Sequence, residues 1–307
     1  MLAIALFVVI NWISAAGQHA SAQIYLTNDA NTTGIVGEYN ISSGAAINGT
    51  LVSGLASPEG LALSGNTLYV AQAGANSIGT YNATTGAALN ASFITGLSNP
   101  ENITLFGNNL YVVNRFTNTV RLYDASTGAL TNPSFITGLN GPFSLTLGMN
   151  VLYVGNFGAG AGNGSVGAYN AITGTLINTF SISGLTNVYG LAVAGNNLYV
   201  SNGNQVGLYN ATTGAAITSN FITGLSTASG LAVSGNSLYV EEFGDTRVGL
   251  YNATTGAAIS QNFITGLTSR PFAIIVPEPA TCSLLIAGAG IVVMCARRHR
   301  ARHRRDS

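Results

Sequence analysis

From Ile24 to Val276 short apolar phrases alternate with breaks rich in Gly, Asn and Ser, and the alternation itself repeats. Gly60 to Leu97 shows one period: Leu61-Ala62-Leu63, Leu68-Tyr69-Val70, Ile78-Gly79-Thr80-Tyr81 and Ser92-Phe93-Ile94, separated by Ser64-Gly65-Asn66, Gly74-Ala75-Asn76 and Thr84-Thr85-Gly86. Phrases of this length predict strands, and the breaks supply the positive φ that tight hairpins need. One phrase, Tyr-Asn/Asp-x-x-Thr/Ser-Gly, begins at Tyr39, Tyr81, Tyr123, Tyr169, Tyr209 and Tyr251, at spacings of 42, 42, 46, 40 and 42 residues. Four antiparallel strands in a period of that size predict the blade of a β-propeller.

The ends of the repeat predict a closed ring. Ile24-Tyr25-Leu26 is equivalent to Leu68-Tyr69-Val70, so the first unit starts midway. Pro271 to Ile275 is equivalent to Pro58 to Ala62, so the last unit stops after its first strand. Together the two ends complete one blade, which gives six and leaves no open strand edge where the ring joins.

Two flanking segments carry an address. Leu2 to Ile10 is unbroken apolar sequence, followed by polar residues and Ala20-Ser21-Ala22, a small-x-small site that predicts a secretory signal peptide over 1–22. Val276-Pro277-Glu278-Pro279 precedes an uncharged run, 280–296, and an arginine-rich end from Arg297 to Arg305. As a helix that run spans ~25 Å, near the lower limit for crossing a bilayer. The arginines hold its end in the cytoplasm by the positive-inside rule. The expected division is therefore signal peptide 1–22, propeller 23–276 and tail 277–307, with the propeller outside the cytoplasmic membrane.

The tail, with Pro277-Glu278-Pro279, a short hydrophobic span and an arginine-rich end in that order, resembles the PEP-CTERM sorting signal of bacterial surface proteins. The resemblance implies an exosortase-type sorting enzyme as partner, removal of the tail during export, a link to exopolysaccharide, and the cell surface or its matrix as destination. Pro-x-Gly-Leu-Ala followed by Asn-x-Leu-Tyr-Val resembles NHL-type and gluconolactonase-like propellers. It implies the ring and not its activity, since such rings serve lactonases, lyases and plain binding scaffolds.

Composition narrows the chemistry. Between Gln23 and Val276 eight acids (Asp29, Glu38, Glu59, Glu101, Asp124, Glu241, Glu242, Asp245) stand against Arg115, Arg121, Arg247 and Arg270, while six arginines crowd the tail. The neutral total hides a mildly acidic body, which argues against a nucleic-acid role. That body contains no His, Cys, Lys or Trp, which excludes Ser-His-Asp and Cys-His nucleophiles, a Schiff-base lysine and a histidine metal site. Cys282 and Cys295 fall in the apolar tail run. Twelve of the thirteen tyrosines form two columns repeated in every blade, led by Tyr25 and Tyr39, and these predict packing between blades. The Asn-Ala-Thr triplets at Asn82, Asn210 and Asn252 read as hairpin residues. The long loop 155–164 lacks the strand-to-helix context and the lysine of a phosphate loop.

What remains is a set of carboxylates and amides at one mouth of the ring. After the second strand of each blade comes Asn28, Gln72, Asn114, Asn156, Asn202 or Glu242. Just before the inner strand comes Glu59, Glu101, Phe143, Tyr189, Ser229 or Phe272. Glu59, Glu101 and Glu242 are candidate metal ligands and the amide column a candidate ligand site, an oxygen-only set suited to Ca²⁺ and similar to the site of gluconolactonase-like enzymes. The alternative is that the amides close turns and that Glu241 to Arg247 is a loop of local ion pairs. Two functions follow: a non-catalytic binding or structural protein of the surface, with polysaccharide or surface proteins as partners, or a metal-dependent lactonase-like hydrolase.

Overall fold

Strand-length apolar phrases broken every few residues by Gly and Asn leave no stretch long enough for a helix, and each repeat folds as four antiparallel strands. The computed structural model describes residues 23–29, 33–158 and 162–277, and the backbone of 281–287 and 290–296. Ile24–Val276 forms one unit by itself. It contains six four-stranded sheets, each following chain order outward except the one that joins the chain ends.

The first complete blade shows the pattern: Pro58–Ser64 inside, then Thr67–Gln72, Ser77–Asn82 and, outermost, Ala88–Ile94. Each turn uses a left-handed residue where the sequence places one, at Gly65, Asn76 and Gly86. The six inner strands touch in a cycle, from Pro58–Ser64 through Pro100–Phe106, Pro142–Gly148, Leu191–Ala194, Ala228–Ser234 and Arg270–Ile275 back to the first. The closing blade is built from both ends: Arg270–Ile275 pairs with Gln23–Asp29, with Tyr25 opposite Ile275 and Asp29 opposite Arg270. Glycine in the Pro-x-Gly phrase permits the close approach of inner strands. A Cβ on Gly60 would lie 2.8 Å from the Glu101 carbonyl oxygen of the next blade, and one on Gly190, at the equivalent place in Val188-Tyr189-Gly190, 2.0 Å from that of Ser229.

The hydrophobic core is divided among the six blade interfaces. One tyrosine column joins them. Tyr25, Tyr69, Tyr111, Tyr153, Tyr199 and Tyr239 donate their hydroxyls to the carbonyls of Ala83, Ala125, Ala171, Ala211, Ala253 and Ile41, each in the following blade. Each hydrogen bond satisfies a polar tip at the end of a buried ring, as an inner aromatic requires. In the Tyr-Asn/Asp phrase, the Asn or Asp side chain accepts from the backbone two and three residues on, as Asn82 does from Thr84 and Thr85 at 3.0 and 2.9 Å. The triplets at Asn82, Asn210 and Asn252 are thus hairpin turns in the structure.

The tail is strand-paired here, and the helix expected of it within a bilayer stays an expectation. Thr281–Ala287 and Gly290–Ala296 pair as a separate antiparallel hairpin where the sequence predicts one helix over 280–296. Ile and Val in that run suit a strand as well as a helix, and only a bilayer obliges the backbone to bond within one segment. Among the described residues no helix is long and apolar enough to cross a membrane. The expected signal peptide, 1–22, lies outside the described residues, as do Glu278 and Pro279 of the sorting motif.

Candidate functional site

The chain enters most inner strands through a left-handed residue, Ser57, Asn99, Gly141 or Thr227, followed by an irregular first pairing. Register slips between Pro58 and Gly60, between Pro100 and Ile103, between Pro142 and Ser144, and between Ala228 and Leu231. Such bulges turn a side chain out of the sheet plane. Here they turn Glu59, Glu101 and Phe143 towards the axis, and with Tyr189 and Phe272 these line a cavity of about 340 Å³. The sixth member of that column, Ser229, is buried and donates to the carbonyls of Glu241 and Pro271.

One wall of the cavity is acidic. Glu101, only 3% exposed, has one carboxylate oxygen engaged: Oε1 accepts from Asn99 Nδ2 at 2.5 Å and from Arg115 Nη1 at 3.0 Å. Its Oε2, like Oε2 of Glu59, is buried without a partner. Burial pushes the Glu101 carboxyl up to about 7 against the opposing pull of Arg115 and Asn99. Glu59 is held well above the ordinary glutamate value, first by burial and then by the charges of Glu101, Asp29 and Glu241. Glu241 is fully buried, and neither of its oxygens has a partner at hydrogen-bonding geometry; the nearby Gly230 amide only partly offsets the burial that raises its pKa.

The other wall is aromatic, formed by Phe143, Phe157, Tyr189, Phe243 and Phe272. Tyr189 meets Phe143 edge-on at 5.1 Å and Phe157 at 5.3 Å, and Phe243 meets Phe272 edge-on at 5.3 Å. Arg115 lies over Phe143 and Phe157 at 5.2 and 5.4 Å, linking the acidic wall to the aromatic one, and Arg270 covers Phe243 at 4.4 Å.

The amide column takes a different place from the one expected of a ligand site. Its side-chain carbonyls turn into their own blades and accept the backbone N–H 16 residues earlier in the chain, on the approach to the inner strand. Gln72 accepts from Ala56 at 3.2 Å, Asn114 from Ser98 at 2.9 Å, Asn156 from Asn140 at 3.2 Å and Asn202 from Thr186 at 2.6 Å. Asn28 closes the junction of the chain ends through side chains instead, accepting from the Ser269 hydroxyl and donating to that of Thr268. Glu242 accepts from the Ser226 N–H at 3.0 Å, and its charge is matched by Arg247, which donates to both carboxylate oxygens at 3.0 and 2.9 Å. Arg247 also pairs with Asp245 at 3.0 Å.

Glu59 and Glu101 therefore share the cavity while Glu242 is engaged elsewhere. Among the described residues no group of three His, Cys, Asp or Glu is placed to hold a metal ion, and of the three expected Ca²⁺ ligands Glu59 and Glu101 line the cavity while Glu242 does not. Sequence reasoning passed over Arg115, Phe157 and Phe243. All three sit one place after the amide column, where the other blades carry Asp29, Ala73 and Gly203. A column that changes residue type from blade to blade was the available signal.

Residues 32–262 match the family model described as "Outer membrane protein assembly factor BamB", and residues 276–300 match the PEP-CTERM protein-sorting motif. No curated protein matches the chain significantly. Among solved structures, "Crystal structure of Nidogen/Laminin Complex" aligns with a TM-score of 0.69 at 14% identity, over 83% of this chain and 97% of that one. "Crystal structure of the computationally designed Ika8 protein: crystal packing No.1 in P63" aligns with a TM-score of 0.51 at 17% identity, over 91% and 94%. At such identities these likenesses show the fold alone. The sorting motif marks the chain as exported through an exosortase-type system. Since the family model spans most of the chain, the protein belongs to the propeller family described as outer membrane protein assembly factor BamB.

Proposed function

We propose that this is a non-catalytic binding protein of the bacterial surface or extracellular matrix, and that the cavity at the mouth of its ring is the binding site. The extended expectation is export by a signal peptide over 1–22, residence in the cytoplasmic membrane through the tail at 277–307 during sorting, and exosortase-type processing linked to exopolysaccharide. Polysaccharide is the ligand, with surface proteins as the second class of partner. The observation that carries the reading is the make-up of the cavity: rings on one wall and unpartnered carboxylate oxygens on the other suit the apolar face and the hydroxyls of a sugar. A family named for an assembly factor accords with a ring that binds.

The competing reading, a metal-dependent lactonase-like hydrolase, needs a third ligand beside Glu59 and Glu101, and Glu242 is committed to Ser226 and Arg247. Affinity electrophoresis tests the binding reading. The protein is expected to be retarded in gels cast with bacterial exopolysaccharide and to run freely after Tyr189→Ala; unhindered migration of the unaltered protein in every polysaccharide tried would reject it.

A further inference from the structure

We infer that the cavity selects a sugar bearing a free ammonium group, with the amine received by Glu59 and Glu101 and the ring laid against Tyr189 and Phe272. The inference rests on the binding reading above and gives it a substrate class.

Charge is the first reason. The lining contains two carboxylates, Glu59 and Glu101, and one guanidinium, Arg115. Beyond the lining, Asp29 acts on Glu59 from the acidic side and Arg270 on Tyr189 from the basic side, so the two carboxylates against one guanidinium set the balance. Arg115 is already committed to Glu101 and to two ring faces, so an anionic sugar would meet carboxylates with no guanidinium to spare. Unsatisfied acceptors are the second reason. Oε2 of Glu101 and of Glu59 are buried without a donor, and a buried carboxylate oxygen is costly until one arrives. An ammonium brings three donors and a positive charge that draws the raised carboxyls of Glu59 and Glu101 into their ionised form, and charge-assisted bonds are roughly twice as strong as the neutral ones a hydroxyl would make.

The third reason is the opposite wall. Arginines cover Phe143, Phe157 and Phe243, whereas Tyr189 and Phe272 carry no guanidinium. Those two rings are where the apolar face of a sugar can rest while its amine reaches across to the acids. Ca²⁺ is the poorer occupant of the same acids, because it takes six to eight oxygens and only two carboxylates line the cavity.

The test is calorimetric titration of the full-length protein in detergent with two β-1,4-linked trimers, one of glucosamine and one of N-acetylglucosamine, which differ in charge and in the acetyl cap. The glucosamine trimer is expected to bind at least tenfold more tightly, and its advantage to shrink as salt screens the charges. Glu59→Gln, which keeps the shape and leaves the Glu101 to Arg115 pair intact, is expected to bring the two trimers within about twofold, with the larger loss falling on the glucosamine trimer. Spermidine, a cation with no ring, is expected to bind at least tenfold more weakly than the glucosamine trimer, and parity between them would refute the sugar part. Equal binding of the trimers, or preference for the acetylated one, overturns the inference and leaves the binding reading standing. Failure of both trimers, together with free migration in every polysaccharide gel, overturns both.

Discussion

Replacing Glu241 with glutamine should make the ring more stable at neutral pH. Glu241 is fully buried and both its oxygens lack partners, in a column whose other members are Thr27, Ala71, Val113, Gly155 and Ser201. Burial raises its folded pKa well above the ordinary value of 4.5. A carboxyl raised on folding binds more protons in the folded chain than in the unfolded one between its two pKa values. Stability is therefore greatest below the unfolded value and falls as pH rises through the window, by about 1.4 kcal/mol per pH unit for each such group. Glutamine has no such window. At pH 4 it should be level with the parent or about 1 kcal/mol worse, because its amide brings an extra donor to a dry site. With each pH unit the parent loses about 1.4 kcal/mol that the variant keeps, so the curves should cross near pH 5 and the variant should lead by pH 7. Urea unfolding of both proteins from pH 4 to pH 8 measures this directly. Parallel pH profiles, with the variant less stable throughout, would show that Glu241 is charged and satisfied in the folded protein and would refute the argument.

Glu242 and Arg247 offer an opposite case. Arg247→Ala leaves a fully buried carboxylate beside the Ser226 amide and is expected to cost about 3 kcal/mol, while Glu242→Gln restores the amide of the other blades and should cost under about 1 kcal/mol; thermal melts rank the two, and the reverse order would undo the turn-closing assignment. Tyr199→Phe removes the 2.6 Å bond to the Ala253 carbonyl and leaves a buried acceptor, for an expected loss of about 1–2 kcal/mol; an unchanged urea midpoint would mean that water replaces the hydroxyl. Gly190→Ala would set its Cβ 2.0 Å from the Ser229 carbonyl oxygen, and soluble protein of unaltered melting temperature would contradict the close approach of the inner strands.

By itself the sequence determined the ring, because blade architecture is local. Apolar phrases of strand length, turn residues at fixed offsets and a split first repeat leave one consistent arrangement, and the pairing of Arg270–Ile275 with Gln23–Asp29 follows from it. The tyrosine column was legible for the same reason, since whatever recurs in every blade serves what every blade needs. Sequence also indicated that Glu59, Glu101, Phe143, Tyr189 and Phe272 gather at one mouth. Tertiary structure decided the rest. Whether a side chain points into the channel or back into its blade depends on a one-residue bulge and on which backbone donors are left over, and neither is encoded in residue type. Glutamate at 242 stands out from five amides, whereas glutamate at 59 and 101 belongs to a column of mixed type. Yet Glu242 closes a turn under Arg247, while the other two keep an unpartnered oxygen beside five rings brought from distant parts of the chain.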